Sequence, residues 1–206
     1  MRPTVTFDNL PESVVIREKE YPINCGYRAA MRIEIEMFRD DISDEQKLLN
    51  ALNIFYFEDI PSDVKKAVDY MLWFHRCGED VKSGGGSGNA KRGYCFQQDA
   101  PLIYAAFRQQ YGIDLRRTLN ADLHWWEFSA LFESLNEDTK MSKVIYWRTC
   151  KLGDLSKTER KHVVKMRAMY ALKVSEGNID SATKLAQRNA RWIDHVRRRA
   201  QECLRK

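Results

Sequence analysis

The chain has 206 residues, 44% of them hydrophobic, with five Trp, nine Tyr and nine Phe. A wholly disordered chain is excluded, and a length of this order buries a core without disulfide staples. No window approaches the ~18 uninterrupted apolar residues of a membrane-spanning helix. The net charge of +5 averages two opposite regions: residues 140–206 carry 18 Lys+Arg against 6 Asp+Glu, a net of +12, and residues 1–139 carry 16 against 23, a net of −7.

The stretch 1–13 lacks the basic-then-apolar layout of an export signal, and residues 3–7 offer a short strand. Val14-Val15-Ile16 is a β-branched run, Arg17 to Glu20 is polar, and Tyr21-Pro22-Ile23 is a second extended piece, which together read as a β-hairpin. Pro22 has no N–H to donate, so its strand is an edge or ends there. After Gly26 the pattern is helical. Tyr27, Ala30, Met31, Ile33, Ile35 and Phe38 stripe a helix over about 26–39. Ser43 and Gln46 form the S-x-x-Q signature of a capping box, ahead of Leu48, Leu49, Leu52, Phe55 and Tyr56. Pro61 opens a third helix through Val64, Val68, Met71, Leu72 and Phe74, with Gly78 as the stop.

A Gly-rich loop follows over 79–93. A helix then covers 96–111, with Ile103, Ala106, Phe107 and Tyr111 on one face and Gly112 as its stop. Two adjoining stripes, Leu123/Trp126/Ala130 and Trp125/Phe128/Phe132/Leu135, make the next helix apolar over more than half its girth. Such a helix lies central in the core or faces a partner. Further helices are expected over about 139–150 and from the Ser156–Glu159 capping box through Val163, Met166, Met169 and Tyr170. Over 179–205, Ile179, Ala182, Ala186, Asn189, Ile193, Val196, Ala200 and Cys203 alternate steps of three and four, a heptad seam with Arg188, Arg191, Arg197, Arg198 and Arg199 dressing its outside. The expected fold is therefore mainly α, a helical domain over 1–175 with a small N-terminal β-hairpin, and a long basic C-terminal helix over 176–206.

Little in this pattern points to catalysis. Five cysteines (Cys25, Cys77, Cys95, Cys150, Cys203) are odd in number and unpaired in spacing, as for reduced thiols in a cytoplasm. His75-x-Cys77 lacks the paired knuckles of structural zinc, and it reads as the end of an amphipathic helix. His124 precedes Trp125-Trp126 and reads as a hydrogen-bonded structural histidine. The 84–88 glycines lack the preceding strand and the following Lys-Ser/Thr of a phosphate loop. No metal or cofactor is expected. The basic C-terminal third suits nucleic acid or an acidic protein face, including the acidic part of another copy.

Two stretches are more idiosyncratic than composition allows: Ile23-Asn24-Cys25-Gly26-Tyr27-Arg28 with Met31-Arg32-Ile33-Glu34, and Tyr104–Phe107, Gln110–Leu115, Leu123–Phe128, Ala130–Phe132 and Glu137–Lys140. Together they resemble the gene-product-fifteen family of temperate tailed bacteriophages of Gram-positive bacteria, over roughly residues 13–175. The resemblance implies a tail-morphogenesis protein without catalytic residues, a tail assembly chaperone of the host cytoplasm that coats the tape-measure protein and is absent from the finished tail. The major tail protein is a further partner on this reading. Trp125, Trp126, Phe128 and Phe132 are then the candidate binding face, with Ile193 and Val196 in the seam for self-association or a helical client. A nucleic-acid-binding phage protein acting through the basic region is the alternative, and a structural tail or connector subunit is another.

Overall fold

A computed structural model describes residues 8–57, 59–79, 93–117 and 123–173. Seven α-helices and one two-stranded antiparallel sheet make up its regular structure among those residues, apart from a short 3-10 turn at Leu152–Asp154. The mainly helical fold with an N-terminal hairpin is as the pattern predicts. The strand expected at 3–7, most of the Gly-rich loop and the whole basic heptad segment lie outside the described residues. The chain forms two compact units that interleave in sequence. The first takes in described residues of 8–84 and 116–133, and the second those of 93–115 and 134–173.

In the first unit, β1 (Ser13–Ile16) pairs with β2 (Lys19–Pro22), Ser13 opposite Pro22 and Ile16 opposite Lys19. That register leaves a two-residue turn at Arg17-Glu18, both with positive φ (50° and 65°). Two-residue hairpin loops favour this mirror-image turn because it matches strand twist, although Asn-Gly fits it better than Arg-Glu. Arg17 is steadied by Asp63, its Nε donating at 3.1 Å. Alternation sends Val14, Ile16 and Tyr21 into the core and leaves Val15 57% exposed.

Three helices follow: α1 (Tyr27–Met37), α2 (Asp44–Phe55) and α3 (Val64–His75). Ser43 caps α2, its Oγ accepting from the Gln46 N–H at 3.2 Å. The reciprocal half of the expected capping box is not formed; the Gln46 side chain turns along the helix, its NH2 donating to Asn50 Oδ1 at 2.8 Å. Asp63, and not Pro61, caps α3. The chain leaves that helix through Cys77 and Gly78, both at positive φ. Leu49 and Phe38, expected in the apolar stripes, are 46% and 39% exposed. Lys47 shows the reverse departure: it is buried, its ammonium 2.9 Å from Asp44 one turn earlier. The unit is completed by α4 (Trp125–Glu133).

In the second unit, α5 (Ala100–Tyr111) carries Pro in its first turn and ends at Gly112, in the left-handed conformation at φ 68°. Its start at Ala100 is later than the 96 expected, and Phe96 is nevertheless buried. Ile103, Ala106 and Phe107 face α6 (Lys140–Thr149), where Met141 and Val144 are sealed from solvent. Thr139 caps α6 through its hydroxyl. The 3-10 turn leads to α7 (Lys157–Met169), opened by the complete Ser156–Glu159 capping box. This last helix buries only Val163; Met169, placed in its apolar stripe from sequence, is 62% exposed.

Candidate functional site

The tryptophan block begins with His124, which starts α4 as a capping residue. Its Nδ1 accepts from the Trp126 backbone N–H at 3.1 Å, and Glu127 returns to accept from the His124 N–H at 3.0 Å. With Nδ1 an acceptor, Nε2 carries the proton and donates to the Pro11 carbonyl at 3.1 Å. Burial pushes the His124 pKa down, against the opposing influence of Pro11 and the nearby Glu127 and Glu12. This is a structural histidine with a defined tautomer, consistent with the expectation from sequence.

The two indoles finish a different helix. The last carbonyls of any helix lack intrahelical donors. Here Trp126 Nε1 donates to the Phe74 carbonyl and Trp125 Nε1 to the His75 carbonyl, each at 2.9 Å, so side chains fifty residues away complete the C-terminus of α3, where the Cys77 N–H also reaches Phe74 and the Gly78 N–H reaches Trp73. The backbone joins in: the Trp125 N–H donates to the Cys25 carbonyl and the Tyr27 N–H to the Leu123 carbonyl, at 2.8 and 3.0 Å. Around this frame Tyr27 stacks on Phe128 (5.1 Å), and Phe128 stacks on Trp125 and on Phe132. His75 lies against Trp125 and hydrogen-bonds the Ala30 backbone, its buried Nε2 has no partner among the described residues, and its pKa is lowered by burial.

Trp125, Trp126, Phe128 and Phe132 are 5%, 1%, 0% and 9% exposed. All four side chains are committed to the core of the first unit, so in this fold they offer no open face to a partner. The wide apolar girth is used internally. Ala130, placed on one stripe from sequence, faces solvent. Ile193, Val196, Arg188, Arg191, Arg197, Arg198 and Arg199 lie outside the described residues.

Two polar arrangements have no signature in the sequence. In the second unit Asp99 and Arg148 form a buried bidentate pair, N–O 2.6 and 2.9 Å; Arg148 also donates to the Tyr170 and Gly93 carbonyls. Beside it, the Lys140 ammonium sits 4.8 Å from the ring centres of both Trp147 and Tyr170, which stack on each other at 5.6 Å. Spacing alone gives no hint of either, since partners 49 and 23 residues apart meet only in the fold. Among the described residues the exposed large apolar side chains are Val15, Phe38, Leu49 and Phe57 in the first unit and Tyr146, Val164 and Met169 in the second. No helix among the described residues is long and apolar enough to cross a membrane.

Fold and site together define a helical protein whose first unit is locked by a tryptophan pair and whose second is pinned by a buried ion pair. The chain belongs to the Bacteriophage Gp15 protein family, whose model matches residues 6–172. No curated protein and no solved structure matches the chain.

Proposed function

We propose that this phage protein is a non-enzymatic tail-morphogenesis factor, a tail assembly chaperone that binds the tape-measure protein in the host cytoplasm before tail subunits polymerise. The observation that carries the reading is the family match over residues 6–172, which makes this a phage protein along most of its length. Its exposed apolar side chains support it. Val15, Phe38, Leu49 and Phe57 on the first unit, and Tyr146, Val164 and Met169 on the second, are single large side chains set among charged ones. Contacts through such scattered groups are individually weak, which suits a client that must later be released to the tail tube. The tryptophan block supports the fold that displays them and is not itself the contact surface.

The test is co-expression with the tape-measure protein of the same phage. Raised soluble yield and co-purification are expected; no change in yield together with no co-purification sinks the reading. The net charge of +12 over residues 140–206 favours a second reading, nucleic-acid binding through the basic region. It requires oligonucleotide retardation at low salt that falls steeply as salt rises and disappears when residues 176–206 are removed. Detection of the chain in purified virions by mass spectrometry would instead make it a structural tail subunit.

A further inference from the structure

The two units carry opposite charge. Described residues of the first hold 11 Lys+Arg against 16 Asp+Glu, and those of the second 11 against 6. Each excess is concentrated in one place. On α7, Lys157, Lys161, Lys165 and Met169 follow one another at four-residue steps and so share one side of the helix, with Arg160 and Val164 alongside. All six are exposed, Val164 to 47% and Met169 to 62%. Among the described residues none forms an ion pair with Lys157, Lys161 or Lys165. In the first unit, residues 34–47 hold six acids against two bases. Of the bases, Arg39 is taken up by Asp41 and Glu36, and Lys47 is buried against Asp44. Asp40, Asp41 and Glu45 are exposed there, next to the exposed Phe38 and Leu49; Glu45 and Leu49, four apart, share one side of α2.

We infer that α7 of one copy docks on the acidic end of α1 and start of α2 of a second copy. The faces match in kind: basic residues around Val164 and Met169 meet acidic residues around Phe38 and Leu49. The apolar pair within the basic stripe favours a protein surface over a phosphate backbone. Because each copy carries one face of each kind, the contact joins copies either reciprocally, as a dimer, or head to tail in a ring or filament. Exposed charge pairs are individually weak and are screened by salt, so the assembly is reversible and salt-sensitive. This inference is independent of the tape-measure reading, since it concerns the purified chain alone.

Sedimentation velocity of the full chain across a concentration series tests it. At low salt, dimers or larger species are expected, and they dissociate at high salt. Lys157→Glu/Lys161→Glu/Lys165→Glu and Asp40→Lys/Asp41→Lys/Glu45→Lys are each expected to stay monomeric at low salt. Mixed together, they restore assembly, because the reversed α7 of one now matches the reversed turn of the other. All six positions are exposed, and circular dichroism checks that each variant keeps its helix content. A wild-type chain that stays monomeric at low salt overturns the proposal, as does association unchanged in the α7 variant. Failure of the mixture to assemble overturns it too. Oligonucleotide binding that is lost in the α7 variant, without self-association of the wild type, would assign the stripe to nucleic acid instead.

Discussion

Asp99 and Arg148 face each other at 2.6 and 2.9 Å with side chains only 3% and 4% exposed. The carboxylate also accepts the Cys95 N–H at 2.8 Å, and the guanidinium holds two backbone carbonyls, so one ion pair joins the start of α5, α6 and the segment after α7. Breaking a buried pair strands the other charge. Arg148→Ala is expected to destabilise the second unit by about 3–5 kcal/mol. Arg148→Lys should rescue little, because an ammonium lacks the planar fork. Urea unfolding followed by circular dichroism measures both; a loss below about 1 kcal/mol would mean that the pair is not the anchor described here.

Stability should fall on mild acidification, with His124 as a contributor. Its folded pKa lies below the unfolded value of about 6.5. Above that value both states are neutral and the contribution is complete. As pH drops from there toward the folded pKa, the unfolded state binds the proton first, and stability is lost. Protonation would place a proton on Nδ1, where the Trp126 N–H is now accepted. His75, also lowered by burial, acts with the same sign. His124→Asn keeps a capping acceptor without titrating, so the difference in urea midpoint between pH 7.5 and 5.5 should shrink; an equal difference in both proteins would remove His124 from this account.

Trp126→Phe removes one N–H and keeps most of the ring. The Phe74 carbonyl loses the indole but keeps the Cys77 N–H at 2.9 Å, so the expected cost beyond any packing loss is about 0.5–1.5 kcal/mol. The same change at Trp125 takes the indole donor from the His75 carbonyl, which the Cys77 N–H does not reach, and should cost more, about 1–3 kcal/mol. Thermal melts of the two variants decide the order.

The hairpin turn invites the opposite result. Arg17 and Glu18 both sit at positive φ, where a side chain is strained and glycine is not. Glu18→Gly should raise stability by about 0.5–1 kcal/mol, because the native conformation there suits glycine. Arg17 is better left alone, since it holds Asp63. A thermal midpoint unchanged or lowered by Glu18→Gly would count against the turn geometry.

What could be read from sequence follows the range of the interaction that sets it. The Ser156–Glu159 capping box, the Gly112 stop and the hairpin begun by Val14-Val15-Ile16 depend on neighbours within a few residues, and each is found as the pattern predicts. Gln46 shows the limit even there, because its side chain turns along the helix to Asn50 one turn later. The tryptophan stripe signalled a helix but left its use open between core and partner; burial against α1 and α3 comes from segments 50 and 100 residues away. Lys47 and Arg148 are buried because Asp44 and Asp99 receive them, which periodicity does not encode.

The indole caps on α3 have a consequence for synthesis. The described first unit has residues on both sides of the 93–115 part of the second, and its core lacks Trp125 and Trp126 until they leave the ribosome. The fifty residues between His75 and Trp125 take roughly 3–10 s to translate at ordinary elongation rates. During that interval the hairpin and first three helices wait with Phe74 lacking Trp126 and Tyr27 lacking Phe128, and the chain that emerges next begins the other unit. The arrival of the tryptophan pair sets the moment at which the first unit closes, and the second, which waits for Arg148 to reach Asp99, closes later still.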